Sequence, residues 1–213
     1  MINDLLQALL YSALINNLVL CWFLGLTPLM ATSKTVGSAA RMGGAMVFTV
    51  TLASALCAAI YKFILLPFEA VYLQTFVYVM AIAAVVGLIA ALLKRCLPGW
   101  YEAFGTYLPL LAVNSGVLGA VLLNGQYMER LMTAPVYDST PIGNLVYGQA
   151  GRYILTSTVN GFGAGLGFAL VLVIIAGIRE KTAGGDVPEA FRGVPITLVT
   201  AGLVALAFYA FAY

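Results

Sequence analysis

Six stretches of this chain carry no charged side chain: Leu5 to Ser33, Met42 to Tyr61, Ala70 to Leu93, Ala103 to Met128, Tyr153 to Ile178 and Gly193 to Tyr213. At about 1.5 Å of rise per residue, each is long enough to cross a hydrocarbon core of about 30 Å as a helix. In lipid every backbone polar group must be satisfied within the protein, and a helix does this segment by segment. The expectation is an all-α integral membrane protein with six transmembrane helices in a single membrane domain, residues 1–213. Composition agrees, with 62% of residues hydrophobic and 8% charged, against about 25% charged in a soluble domain. The opening MINDLLQALL has no basic cluster and no small-residue cleavage site, so it reads as the first helix rather than a removable signal.

Charge placement sets the orientation. Lys34 and Arg41 fall in the first connection, Lys94 and Arg95 in the third, and Arg179, Lys181 and Arg192 in the fifth, whereas the other side holds only Lys62, Arg130 and Arg152. The positive-inside rule then puts the odd-numbered connections in the cytoplasm and both termini outside. A net charge of +2 gives no basic surface for nucleic acid, so none is expected as a partner. Cys21, Cys57 and Cys96 are far apart in apolar surroundings and read as free thiols. The polar stretch Glu129 to Arg152 reads as an external loop, either touching a partner or tolerated as an insertion.

Six helices divide near Pro98 into two sets of three, repeat 1 over about 1–97 and repeat 2 over about 98–213. An odd number per half makes the second inverted relative to the first. Thr27-Pro28-Leu29-Met30-Ala31 lies against Ser115-Gly116-Val117-Leu118-Gly119 in such a repeat, and both stretches interrupt the first helix of their half, the first and fourth helices of the chain. Matched breaks of this kind point to a site at mid-membrane. Pro28 cannot donate a backbone hydrogen bond and is expected to push Thr27 away from helical dihedrals, while Gly25 lets the chain turn. Asn16 and Asn17 precede the first break; Asn114 and Gly116 flank Ser115 at the second, and Asn124 follows. Polar groups at this depth face protein, water or an ion path.

GFGAGLGF, Gly161 to Phe168, contains two overlapping Gly-xxx-Gly spacings and reads as a helix-packing face. The absence of histidine excludes a histidine haem ligand and a histidine proton relay. Asp4, Glu69, Glu102, Glu129, Asp138, Glu180, Asp186 and Glu189 all fall near segment ends or in connections, so a carboxylate relay lacks its parts.

The run INNLVLCWFLGLTPLMATSK resembles the first helix of the A-type membrane subunit of the Rnf complex and of its relative, the E-type subunit of the sodium-pumping NADH:quinone oxidoreductase. YLPLLAVNSGVLGAVLLN resembles their fourth helix, AGIREK the end of the fifth, and DVPEAFRGVPITLVTAGLVALAFYAF the sixth. The resemblance implies six helices as two inverted triplets in a bacterial or archaeal cytoplasmic (inner) membrane. It also implies a homologous six-helix partner subunit packed in the opposite orientation, and further subunits carrying flavin and iron-sulfur centres. A 2Fe-2S cluster would be shared between the two homologues, each giving two cysteines from its interrupted helices. Those cysteines belong at Thr27 and Ser115, and this chain has neither. A neutral hydroxyl is a poor substitute for thiolate on cluster iron, so no cluster is expected on this chain alone.

Three readings follow. The first is a membrane subunit of a redox-driven ion-translocating oxidoreductase, contributing to electron transfer and ion passage and inactive alone. The second is a cofactor-free transporter or channel, in which Thr27, Ser115 and the asparagines coordinate a cation or small solute. The third is a scaffold that keeps the packing without the cluster. The first is the reading adopted.

Overall fold

The computed structural model describes residues 6, 9–33, 35–96, 101, 107–133, 150–185, 188 and 191–209; among them are helices and turns but no strand. The first apolar stretch is not one helix. It runs as a π turn, Tyr11–Ile15, then α1 (Leu18–Trp22) and α2 (Leu26–Thr32). Next come α3 (Val36–Ile60), continued by a second π turn (Tyr61–Leu65), and α4 (Gln74–Cys96), entered through a 3-10 turn (Val71–Leu73). α5 (Leu108–Ala112) and α6 (Ser115–Thr133) are separated by two residues, and α7 (Ala150–Ala183) and α8 (Val194–Tyr209) complete the described chain.

Four helical stretches are long and apolar enough to cross a membrane: Val36–Leu65, Val71–Arg95, Leu108–Gln126 and Tyr153–Ala183. A fifth is the bent pair Tyr11–Trp22 and Leu26–Thr32, whose halves meet at 89°. α8 has 16 residues, about 24 Å of helix, and is apolar but shorter than a full crossing. The protein is therefore a multi-pass membrane protein. The expected external loop is narrower than 129–152, because α6 runs to Thr133 and α7 starts at Ala150. Glu, Arg, Leu and Met are good helix formers, and they let α6 continue where charge alone suggested a loop. Residues 134–149 lie outside the described residues.

The centre is the pair α3 and α7. Met42, Met46, Val50, Ala53 and Cys57 recur every three or four residues on α3 and are fully buried, as are Phe168, Leu172 and Ile175 of α7. The glycine run makes this pairing close. A Cβ on Gly165 would stand 2.8 Å from the Cα of Val47, and Gly161 abuts Ser54, both on α3. Gly163 and Gly167 lie on the neighbouring face of α7, against Ser12 and Ala13 of the first π turn. Missing side chains thus seat two elements on α7 at backbone contact, the form of packing that lipid favours because apolar burial supplies no drive there. Large apolar side chains such as Phe63, Phe76, Leu88 and Leu206 point outward, as hydrocarbon surroundings allow.

Candidate functional site where two helix breaks meet

The first stretch is interrupted twice. At Asn16 the π turn closes, with the Asn16 N–H donating to Tyr11 O at 2.8 Å. Asn17 then begins α1 in extended conformation. Its Oδ1 accepts from Val19 N–H at 3.0 Å and Leu20 N–H at 3.4 Å, and its Nδ2 donates to Ala13 O at 2.9 Å. One carboxamide therefore satisfies backbone groups on both sides of the interruption, which hydrocarbon could not. Asn16 Oδ1 accepts from the indole of Trp22 at 2.9 Å.

The second interruption follows α1. Phe23 (φ 52°) and Gly25 (φ 76°) are both left-handed, a region open to glycine and rarely used by a residue such as Phe. The Phe23 and Leu24 N–H groups donate to Val19 O and Leu18 O, closing the end of α1. Thr27 and Pro28 stand inside α2, in its first turn. This corrects the expectation that Pro28 drives Thr27 out of helical conformation. In the first turn an amide N–H has no intrahelical partner, so proline removes nothing the helix uses. The turn is made by Phe23 and Gly25, and Pro28 belongs to the helix that restarts.

In the second half, α5 ends at Ala112, Val113 is 86% exposed, and Asn114 leads into α6. Asn114 Oδ1 accepts from Gly116 N–H at 2.8 Å, and its Nδ2 faces Met46 Sδ at 3.6 Å. The two breaks touch: the Gly25 N–H donates to Ser115 Oγ at 3.1 Å across 90 residues of sequence. A Cβ on Gly116 would come 3.3 Å from Gly25 Cα, and Gly119 abuts Leu24. Thr27 and Ser115 are both exposed, so the junction opens onto an outer face of the bundle.

The far end of α2 is fixed from α7. The Arg179 guanidinium donates to Met30 O at 3.2 Å and to Ser33 Oγ at 2.6 Å, a cation at a helix C-terminus where the dipole favours it. The next residue, Glu180, accepts from Val36 N–H at 3.3 Å at the start of α3. The Arg-Glu pair of AGIREK thus holds both sides of the α2–α3 turn.

Of the candidate residues, Asn16, Asn17, Gly25, Thr27 and Pro28 lie along the first interrupted segment and Asn114, Ser115 and Gly116 at the second, with Gly25 and Ser115 in direct contact. Asn124 stands apart. Ten residues beyond Asn114 on α6, it is bonded to Ser157 and Asn160 of α7. Sequence reasoning missed Ser12, Ser54, Ser157 and Asn160. Ser157 and Asn160 left a signal, two polar residues one helical turn apart in an apolar span.

The donor set does not suit an iron-sulfur cluster. The family's ligand positions hold two hydroxyls, and cluster iron takes thiolate. Cys21 donates through Sγ to Ile15 O at 3.1 Å, and Cys57 is buried within α3. Among the described residues no three His, Cys, Asp or Glu side chains come together.

Interrupted helices facing one another in an apolar bundle define a class of membrane protein that builds its site from helix ends and unwound backbone. The family described as "Rnf-Nqr subunit, membrane protein" matches residues 5–213, and the chain belongs to that family. A protein of Azoarcus sp. (strain BH72) is 41% identical over 210 residues, 99% of this chain and 97% of that protein. One from Actinobacillus pleuropneumoniae serotype 5b (strain L20) is 39% identical over 208 residues, covering 98% and 96% of the two chains. One from Rhodobacter capsulatus is 40% identical over 210 residues, covering 99% and 97%. Each of the three is named as the A-type component of an ion-translocating oxidoreductase complex.

Proposed function

We propose that this chain is a membrane subunit of a multi-subunit, redox-driven ion-translocating oxidoreductase of the Rnf/Nqr type, contributing to transmembrane electron transfer and ion passage and inactive alone. The observation that carries the reading is similarity over nearly the whole length of relatives bearing that name. The contact between Gly25 and Ser115 supports it, since it brings together the two interruptions that such a protein uses.

The exposed face with Thr27, Ser115, Phe23 and Val113 is the surface offered to a homologous six-helix partner in the opposite orientation. Other subunits bring flavin and iron-sulfur centres. On this reading the chain sits in a bacterial or archaeal inner membrane with both termini outside, and its six segments form inverted halves, 1–97 and 98–213. It binds no cluster by itself, because hydroxyls stand where a shared 2Fe-2S cluster would take thiolates.

Affinity purification of the tagged chain from its native membrane tests the reading. Flavin- and iron-sulfur-carrying subunits are expected to come with it, and deletion of the chain is expected to abolish electron-driven ion uptake by membrane vesicles. Recovery of the chain without redox subunits, with uptake intact after deletion, overturns it. A cofactor-free carrier, favoured by the neutral polar side chains at depth, requires ion uptake by the chain alone in liposomes.

A further inference from the structure

A second polar site lies away from the helix breaks, between the first π turn, α6 and α7. Ser12, Asn16, Asn124 and Asn160 line a cavity of about 30 Å³, closed elsewhere mainly by Leu18, Ala120 and Leu123. That volume holds one water-sized particle. Ser12 and Asn124 are buried, and Gly163 of α7 gives Ser12 its space, since a Cβ there would collide with Ser12 Oγ.

The hydrogen-bond inventory decides what the cavity suits. Asn124 spends its Nδ2 protons on Ser157 O at 2.9 Å and Ser157 Oγ at 2.7 Å. Asn160 Nδ2 donates to Asn124 Oδ1 at 3.0 Å, Ser157 Oγ to Ser54 O at 3.4 Å, and Ser12 Oγ to Leu9 O at 3.1 Å. Each donation turns a proton into the protein and leaves oxygen lone pairs over: both on Ser12 Oγ, one on Asn124 Oδ1 and those of Asn160 Oδ1. Asn16 Oδ1 keeps one beside its bond from Trp22. Donor capacity remains on the Nδ2 groups of Asn16 and Asn160, so the surplus is of acceptors. The π turn ends here too, and the last carbonyls of a helical segment carry the negative end of its dipole.

Several neutral oxygens, no carboxylate and a helix C-terminus around a one-particle space are the makings of a site for a small monovalent cation. Calcium and magnesium sites recruit carboxylates, whereas sodium sites in interrupted-helix membrane proteins use carbonyls and helix C-termini. We propose that Ser12, Asn16, Asn124 and Asn160 form a binding site for a desolvated Na⁺-sized cation, with Ser157 and Ser54 as the buried support that fixes Asn124. The inference rests on the proposed ion-translocating role, and gives that role a binding station distinct from the Gly25–Ser115 junction.

The test is thermal unfolding of the complex purified with whichever subunits accompany the chain, in NaCl, KCl and choline chloride at constant ionic strength. The expected result is a Tm that rises with the logarithm of Na⁺ concentration and hardly with choline. That rise should be lost in Asn160→Leu and in Ser12→Ala, two variants of independent folding risk. An equal response to all three salts identifies a water site and overturns the proposal, as does a Na⁺ response unchanged in Ser12→Ala. Failure of the functional reading appears instead in the accompanying subunits, because cation stabilisation is read on the chain whatever it binds.

Discussion

The amide of Gly25 donates to the hydroxyl of Ser115 at 3.1 Å, joining the two interruptions of the bundle through one hydrogen bond. Ser115→Ala leaves that amide without its side-chain partner at a site Phe168 packs against. The expected cost is about 1–3 kcal/mol, read as a lower midpoint of thermal or denaturant unfolding in detergent. Gly25→Ala should cost at least as much, because φ is 76° and an added Cβ meets the Phe168 ring. A Ser115→Ala midpoint equal to wild type would show that the bond contributes nothing.

Asn17 separates two roles of a carboxamide. Asn17→Asp keeps an oxygen for the Val19 amide but loses the Nδ2 donation to Ala13 O and places a carboxyl group at a buried position. Asn17→Ala loses both. Both variants should unfold earlier than wild type, with Asn17→Ala costing about 1–2 kcal/mol for the lost cap. Amide hydrogen exchange should quicken at Val19 and Leu20 before it does in α3.

Arg179 is expected to act on α2 rather than on its own helix. Arg179→Met removes the donor to Met30 O and Ser33 Oγ, at a cost of about 1–3 kcal/mol for charge-assisted bonds. Exchange at residues 29–33 should rise, while α7 near Val171 stays protected. Arg179→Lys should recover part of the loss, because an ammonium can reach one acceptor but lacks the guanidinium fork.

The glycine face of α7 supplies its own control. Gly165→Ala sets a Cβ 2.8 Å from Val47 Cα, a backbone atom that has no rotamer to give way. A loss of about 1–3 kcal/mol is expected. Gly177→Ala, on the same helix with nothing within 4 Å of the added atom, should be neutral or stabilising. Equal effects at both positions would contradict the packing described.

Much of this is legible in the residues alone. Uncharged runs and charge asymmetry mark the membrane segments, and the Gly-xxx-Gly spacings mark the close face of α7. Gly25 and Ser115 stand out together because each sits in a break. Pro28 misleads because a proline's effect depends on its place in the helix, and nothing in the residue types says that Phe23 makes the left-handed turn. Ser12, Ser54, Ser157 and Asn160 draw little notice because single hydroxyls and amides are common in apolar helices. Only the packing of α3, α6 and α7 brings them to one depth.

The hydroxyls at Thr27 and Ser115 lead to a chemical test. Thr27→Cys with Ser115→Cys, co-purified with the homologous partner, should gain iron and acid-labile sulfide that the parent pair lacks, provided the partner keeps its own cysteines. Unchanged iron in that case would argue against equating these positions with the family's ligands.

Where Gly161, Gly163, Gly165 and Gly167 meet α3 and the first π turn, the spacing of three elements is set by main-chain atoms. Such contacts cannot be loosened by flipping a side chain, so this part of the molecule behaves as a stiff frame with no compliance of its own. Any working stroke must then slide these elements as rigid bodies or swing at the jointed stretch from Asn16 to Gly25. Stiffness in one place and articulation in the next are written into the same few residues.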